Sequence, residues 1–128
     1  KLLTRYPDMR VVIDHCMKPQ IRIHSSDNFA QWACGMTRLA EDTSAFCKFS
    51  GLVTEANGWS LAAMRPYTEH LLQIFGPERI MWGSDWPVCR LKASYTAWFE
   101  AARRLTEHLP TVSQESIFGG TAQAFYRL

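Results

Sequence analysis

Arg79-Ile80-Met81-Trp82-Gly83-Ser84-Asp85-Trp86-Pro87 is the stretch on which the fold turns. Its apolar run ends in glycine, serine and a carboxylate, and Pro87 then stops regular backbone. A buried strand delivers a reactive side chain to a pocket at its C-terminal end in this way. Two further segments share the pattern: Val11-Val12-Ile13-Asp14-His15, closed by Pro19, and Ala45-Phe46-Cys47-Lys48-Phe49-Ser50-Gly51. His15, Lys48 and Asp85 follow one another at intervals of 33 and 37 residues. Each interval suits a strand, a helix and two loops, the repeat of a parallel α/β protein. The three side chains are then expected to converge on one face.

The 128 residues are 47% hydrophobic and 20% charged, an ordinary globular composition. That length suits one small domain or part of a larger one. The 14 basic and 12 acidic residues are scattered and leave a formal charge of +2. No basic stripe exists, which argues against nucleic acid as a partner. Lys1 to Pro7 lack an apolar signal core, and no run approaches the roughly eighteen apolar residues of a membrane span. Cys16, Cys34, Cys47 and Cys89 are widely spaced without a C-x-x-C pair, so reduced thiols are expected and a four-thiolate zinc site is not. The expected location is the cytoplasm.

Along the chain, Tyr6-Pro7-Asp8-Met9 reads as a turn into a first strand over 10–14. Asp27 is placed to cap a helix over about 28–41, with Phe29, Trp32, Met36 and Ala40 on its packed stripe. A second strand is expected over 44–49, then a loop over 52–60 carrying Trp59. Pro66 suits the first turn of a helix of about ten residues that Gly76-Pro77 ends. Ser94 is placed to cap a helix over 95–108. Ser113 and Thr121 are candidate caps of two short final helices. Three parallel strands leave two open edges, which other strands must pair. The chain therefore reads as the C-terminal part of a longer protein, or as one needing a partner chain.

Asp85 closes an apolar strand, where a carboxylate can hold a metal or take a proton from water. An Asx turn before Trp86-Pro87 is the competing explanation. His15 can ligate a metal, shuttle a proton or serve structure alone. Strand alternation puts Val11, Ile13 and His15 on one face and Asp14 on the other. Lys48 can steady an oxyanion or substrate oxygens, or snorkel from a sheet edge. Trp59, Trp82 and Trp86 can present a ring face to a sugar, Trp86 being the better contact, whereas Trp32 and Trp98 belong to helix cores by spacing.

Asp14-His15-Cys16-Met17-Lys18-Pro19, Lys48-Phe49-Ser50-Gly51-Leu52 and Phe75-Gly76-Pro77-Glu78-Arg79 through Pro87 together resemble the amidohydrolase-related sugar lactonases. This family of metal-dependent hydrolases is typified by L-fuconolactonase and L-rhamnono-lactonase. The resemblance covers nearly the whole chain; Thr121 stands where the family usually has asparagine. It implies a (β/α)₈ TIM barrel, of which residues 1–128 form the C-terminal segment with strands six to eight. It also implies hydrolysis of a sugar lactone to its aldonic acid by the intact protein. Asp85 and His15 would be catalytic, and both would ligate a metal if one is used. Lys48, Trp86 and Trp59 would bind substrate. A divalent metal such as zinc and metal-free catalysis both remain open. The alternatives are hydrolysis of another cyclic ester, a pyrone or muconolactone, and an inactive barrel fragment acting as an interaction module. Nothing here corresponds to the family's first-strand His-x-His motif, so 1–128 alone is expected to be inactive.

Expressed alone, residues 1–128 are expected to be insoluble or molten unless a partner supplies the sheet edges. Thermal unfolding of a verified monomer tests this: a cooperative, concentration-independent transition would contradict it.

Overall fold

The computed structural model describes residues 2–6 and 8–128. Three strands, β1 (Val12–Ile13), β2 (Phe46–Phe49) and β3 (Ile80–Trp82), form one parallel sheet in the order β1-β2-β3. Val12 pairs with Phe46, Ile13 with Cys47, Cys47 with Ile80, and Phe49 with Trp82. Among the described residues only β2 has neighbours on both sides, so the sheet they form is open at β1 and β3. An apolar groove of about 480 Å³, lined by Leu3, Val11, Ile13, Met17 and Leu39 among others, runs beside β1. No helix among the described residues is long and apolar enough to cross a membrane.

Between strands the chain returns through helices, as parallel pairing requires. α2 (Ser26–Asp42) links β1 to β2, and α3 (Leu52–Glu55) with α4 (Leu61–Phe75) links β2 to β3; α1 (Leu2–Arg5) precedes the sheet, and α5 (Tyr95–Thr106), α6 (Thr111–Glu115) and α7 (Thr121–Tyr126) follow it. A single π-turn, Ser116–Gly120, joins the last two. The core lies where α2, α4 and α5 meet the sheet. Met36, Met64, Leu71, Trp98 and Leu105 are at most 1% exposed there. Along β2, Cys47 and Phe49 are buried, whereas Phe46 and Lys48 are half-buried. Phe49 meets Trp98 edge-on at 5.4 Å between ring centroids, and full burial of each such side chain stabilises by roughly 1.5–3 kcal/mol. Phe125 of α7 covers Phe46 at 4.9 Å.

Several local expectations need correction. Ser25, not Asp27, caps α2: its extended backbone lets Oγ accept from the Asn28 N–H at 3.1 Å, leaving Asp27 inside the first turn. α4 is 15 residues long because Ser60 caps it, accepting from Ala63 N–H, and Pro66 falls within the helix. The loop after β2 contains α3, whose Leu52 and Val53 are fully buried. Neither Ser113 nor Thr121 caps a helix. Buried Thr121 instead donates from its hydroxyl to the Pro77 carbonyl at 3.0 Å, tying the last helix below β3. Ser94 does cap α5, accepting from Ala97 N–H at 3.0 Å. The turn before β1 closes with Met9 N–H donating to Tyr6 O at 3.2 Å, Pro7 lying outside the described residues. All four cysteines are free, Cys34 exposed and the others buried.

Beneath the sheet, Arg79 joins three carbonyl groups. Its Nε and Nη2 donate to Ala45 O at 3.0 and 2.7 Å, its Nη2 also to Thr43 O and its Nη1 to Ala40 O, both at 3.0 Å. The guanidinium also lies 5.1 Å from the centre of the Phe75 ring. One side chain thus binds the end of α2, the start of β2 and the approach to β3. Burial lowers its pKa from the usual arginine value, a cost that the four hydrogen bonds offset.

Arg79→Met keeps length but leaves those carbonyls without their donor. Since hydrogen bonds to a charged group contribute about 1.5–3 kcal/mol each and are not additive, a loss of about 2–4 kcal/mol is expected. Urea denaturation of the intact protein measures it, and an unchanged midpoint would show that the clamp does not stabilise the fold.

Candidate active site

The strand tips carry the site. β1 ends at Ile13, and the chain then enters a tight left-handed turn instead of continuing as strand. His15, Cys16, Met17 and Lys18 have φ of 50°, 51°, 60° and 52°. Four consecutive side-chain-bearing residues in that region cost about 1–2 kcal/mol each, so other contacts must hold them. Lys18 N–H donates to His15 O at 2.8 Å. The Cys16 thiol donates to Lys48 O at 3.2 Å, and Trp32 Nε1–H donates to Cys16 O at 2.8 Å. The strand alternation expected for Asp14 and His15 therefore fails. Both border one cleft, because the turn begins between the strand and them.

At the third tip, Gly83 N–H continues the ladder to Phe49 O at 3.1 Å, and buried Trp98 donates from Nε1 to Gly83 O at 3.0 Å. With Gly83 held on both backbone groups, Asp85 adopts a left-handed φ of 55° and turns its carboxylate inward. Asp85 O accepts from Cys89 N–H at 2.8 Å, and Ser84 Oγ accepts from Trp86 N–H at 3.2 Å. The two facing residues thus both occupy left-handed backbone, where His and Asp are tolerated better than most types. Such strain gathers where a side chain must be aimed.

The result is a cleft of about 360 Å³ bordered by Asp14, His15, Lys48, Ser50, Asp85 and Trp86, with Met81, Ala122 and Tyr126 among its other walls. His15 Nε2 faces Asp85 Oδ1 at 3.8 Å, and His15 Nδ1 hydrogen-bonds Ser50 Oγ at 2.8 Å. Lys48 Nζ pairs with Asp14 Oδ1 at 2.9 Å. The hydrogen bond from Lys48 holds the Asp14 carboxyl below its usual pKa, and the same bond raises that of Lys48. The pair therefore stays charged across the neutral range.

Five residues singled out by sequence, His15, Lys48, Trp82, Asp85 and Trp86, border this one cleft. Trp59 does not. Its indole N–H donates to Lys92 O at 3.1 Å, beside α4 and α5. Trp82 borders the cleft but packs mainly among Tyr95, Phe99 and Phe118. Lys18 and Arg90 are exposed and do not line the cleft. Sequence reasoning passed over Ser50, Asp14 and Tyr126 as site residues. Ser50-Gly51 does carry the same small-residue signal after an apolar strand as Gly83-Ser84.

His15 Nε2 and Asp85 Oδ1 are suitable donors for a divalent cation, because Ser50 occupies the opposite ring nitrogen. They supply two ligands where a catalytic zinc commonly has three from protein. No cluster of three or more His, Cys, Asp or Glu able to hold a metal occurs among the described residues.

The amidohydrolase family model matches residues 1–128. The chain is 39% identical to an L-fucono-1,5-lactonase of Burkholderia ambifaria, over 97% of this chain and 43% of that protein. It is 37% identical to an L-fucono-1,5-lactonase of Burkholderia multivorans, over 92% of this chain and 43% of that protein. The chain thus spans less than half the length of these curated relatives. Among solved structures, an amidohydrolase of Burkholderia multivorans with bound zinc superposes with a TM-score of 0.93 at 35% identity, over 99% of this chain and 47% of that one. A 2-pyrone-4,6-dicarboxylic acid hydrolase homologue from Pseudomonas putida superposes at 0.72 and 26% identity, over 98% of this chain and 45% of that one. With its whole length matched by the family model, and with sequence and fold agreeing, the chain belongs to the amidohydrolase family.

Proposed function

We propose that the intact protein is a lactonase that hydrolyses a sugar lactone to its aldonic acid, residues 1–128 contributing strands six to eight of a (β/α)₈ barrel. The observation that carries this reading is the approach of His15 Nε2 to Asp85 Oδ1 at the C-terminal ends of parallel strands. The identity to L-fucono-1,5-lactonases supports the choice of ester. Asp85 removes a proton from water as its oxygen attacks the lactone carbonyl. His15 orients that water through Nε2. Lys48 offers its remaining N–H groups to the oxygen on which negative charge develops. Collapse of the tetrahedral centre breaks the ring C–O bond, and the proton returns to the departing ring oxygen. A divalent cation held by His15 and Asp85, when bound, supplies Lewis-acid polarisation of the carbonyl. Trp86, 63% exposed at the cleft mouth, offers a ring face to the sugar.

The electrostatics favour a neutral polyol over a dicarboxylate. Among the described residues lining the cleft, Lys48 is the sole cation besides any protonated histidine, and Asp14 already neutralises it. A carboxylate beside an ammonium suits adjacent hydroxyl groups, one donating to Asp14 and the next accepting from Lys48. A pyrone dicarboxylate would meet the Asp14 charge directly.

Proton release by the intact protein on a panel of 1,4- and 1,5-aldonolactones, with pyrone and muconolactone controls, is the direct assay. Asp85→Asn should lower kcat/KM by roughly 10²–10⁴, and Lys48→Met by about 10²–10³. His15→Asn should be similarly severe, with far-UV signal and melting temperature near wild type. Near-wild-type turnover by Asp85→Asn would sink the mechanism. No activity on any lactone would sink the function.

The ion pair makes a separate prediction for pH. Asp14 has its pKa lowered from 3.8, so its contribution is present above that value and lost only as pH falls through the lower folded value. Lys48 is raised from 10.5, so its contribution is present below that value and lost only as pH rises beyond the folded one. The ratio of wild-type to Lys48→Met kcat/KM should therefore be flat from about pH 5 to 9. A slope across that window would contradict this expectation.

A further inference from the structure

Ser50 has no role in the reaction as written, yet among the described residues it is the buried polar side chain that touches the facing pair. It is 2% exposed, and its Oγ lies 2.8 Å from His15 Nδ1. Water has little access to compete for that bond. The next residue closes the cradle. Gly51 has φ of 71°, and a Cβ built on it would lie 2.9 Å from His15 Cβ, 3.0 Å from Cγ and 3.1 Å from Nδ1. Ser50 is itself packed: a Cβ on Gly83 would lie 3.4 Å from Ser50 Cβ. The imidazole is thus held at its edge by a hydroxyl and against its stem by bare backbone. The left-handed turn at its own Cα completes the fixation.

An imidazole has two inequivalent nitrogens, and a partner on one decides what the other can do. The Nε2 to Asp85 distance of 3.8 Å is too long for a hydrogen bond, so Asp85 does not fix the ring by itself. We propose that Ser50 is the positioning residue of His15: its Oγ occupies Nδ1 and reserves Nε2 for the cleft, where the attacking water or a cation is met. The catalytic consequence rests on the lactonase reading above; the ring fixation does not.

The test uses the intact protein with ¹⁵N-labelled histidine, comparing wild type, Ser50→Ala and Ser50→Cys. In the metal-free wild type, His15 should give the well-separated ring-nitrogen shifts of one dominant neutral tautomer. In Ser50→Ala the two shifts should move toward the tautomer average. On the best aldonolactone, Ser50→Ala should lose about 10–100-fold in kcat/KM. The loss should fall on kcat with KM changed by no more than about twofold, as expected when substrate binding is retained. Ser50→Cys keeps the volume and a weaker hydrogen-bonding group, so it should recover part of both signals. If Ser50→Ala fails to fold, the same shifts and kinetics of Ser50→Cys decide. Unchanged His15 shifts, with or without a lower melting temperature, would overturn the proposal. Shifts that move in a protein without lactonase activity would uphold the positioning role and reject the lactone instead.

Discussion

The lower end of the sheet hangs on one guanidinium. Arg79 reaches from the entry to β3 across to carbonyls at the end of α2 and the start of β2. Two strands paired only through a short ladder slide easily, and a one-residue slip would turn every side chain to the opposite face. With Arg79 in place, the pairing of Lys48 with Met81 and Phe49 with Trp82 follows, and so does the level at which each strand tip ends. The lower face therefore carries stability, and the upper face is left free to carry chemistry.

That freedom is used in a costly way. At the upper face, the backbone adopts left-handed geometry at His15 through Lys18 and again at Asp85. The surrounding structure holds each of these with specific partners: a thiol and an indole for the first turn, and a doubly bonded glycine for the second. Trp98 shows how far the support extends. It fills the core behind β2 and at the same time steadies the tip of β3 through Gly83.

The alternation of strands and helices was legible because apolar runs, glycine and proline mark the ends of each unit at a steady interval. The convergence of His15, Lys48 and Asp85 followed from the same spacing, since parallel strands all finish at one edge. Local geometry was harder. Ser25 and Asp27 are both good caps, and only the extended backbone at Ser25 decides between them. Pro66 looked like a helix start, but the hydroxyl of Ser60 starts the helix earlier. Asp14 was assigned to the far face by a period of two that stops applying once the strand ends at Ile13. Trp59 carries an aromatic signal with no information on distance, and its indole is bonded to Lys92 O beside α4 and α5, away from the cleft.

The closeness of Gly51 to His15 bears on how relatives of this chain can be sorted. Position 51 is closed twice, by its left-handed φ and by the imidazole lying against it. No side chain fits there while the histidine keeps its pose. A homologue that retains histidine at position 15 but carries alanine or anything larger at position 51 must hold that ring differently. Inheritance of the histidine alone is thus a poor guide to inheritance of the chemistry. The glycine, set against the imidazole, is the more discriminating mark of a family member whose site is built in this way.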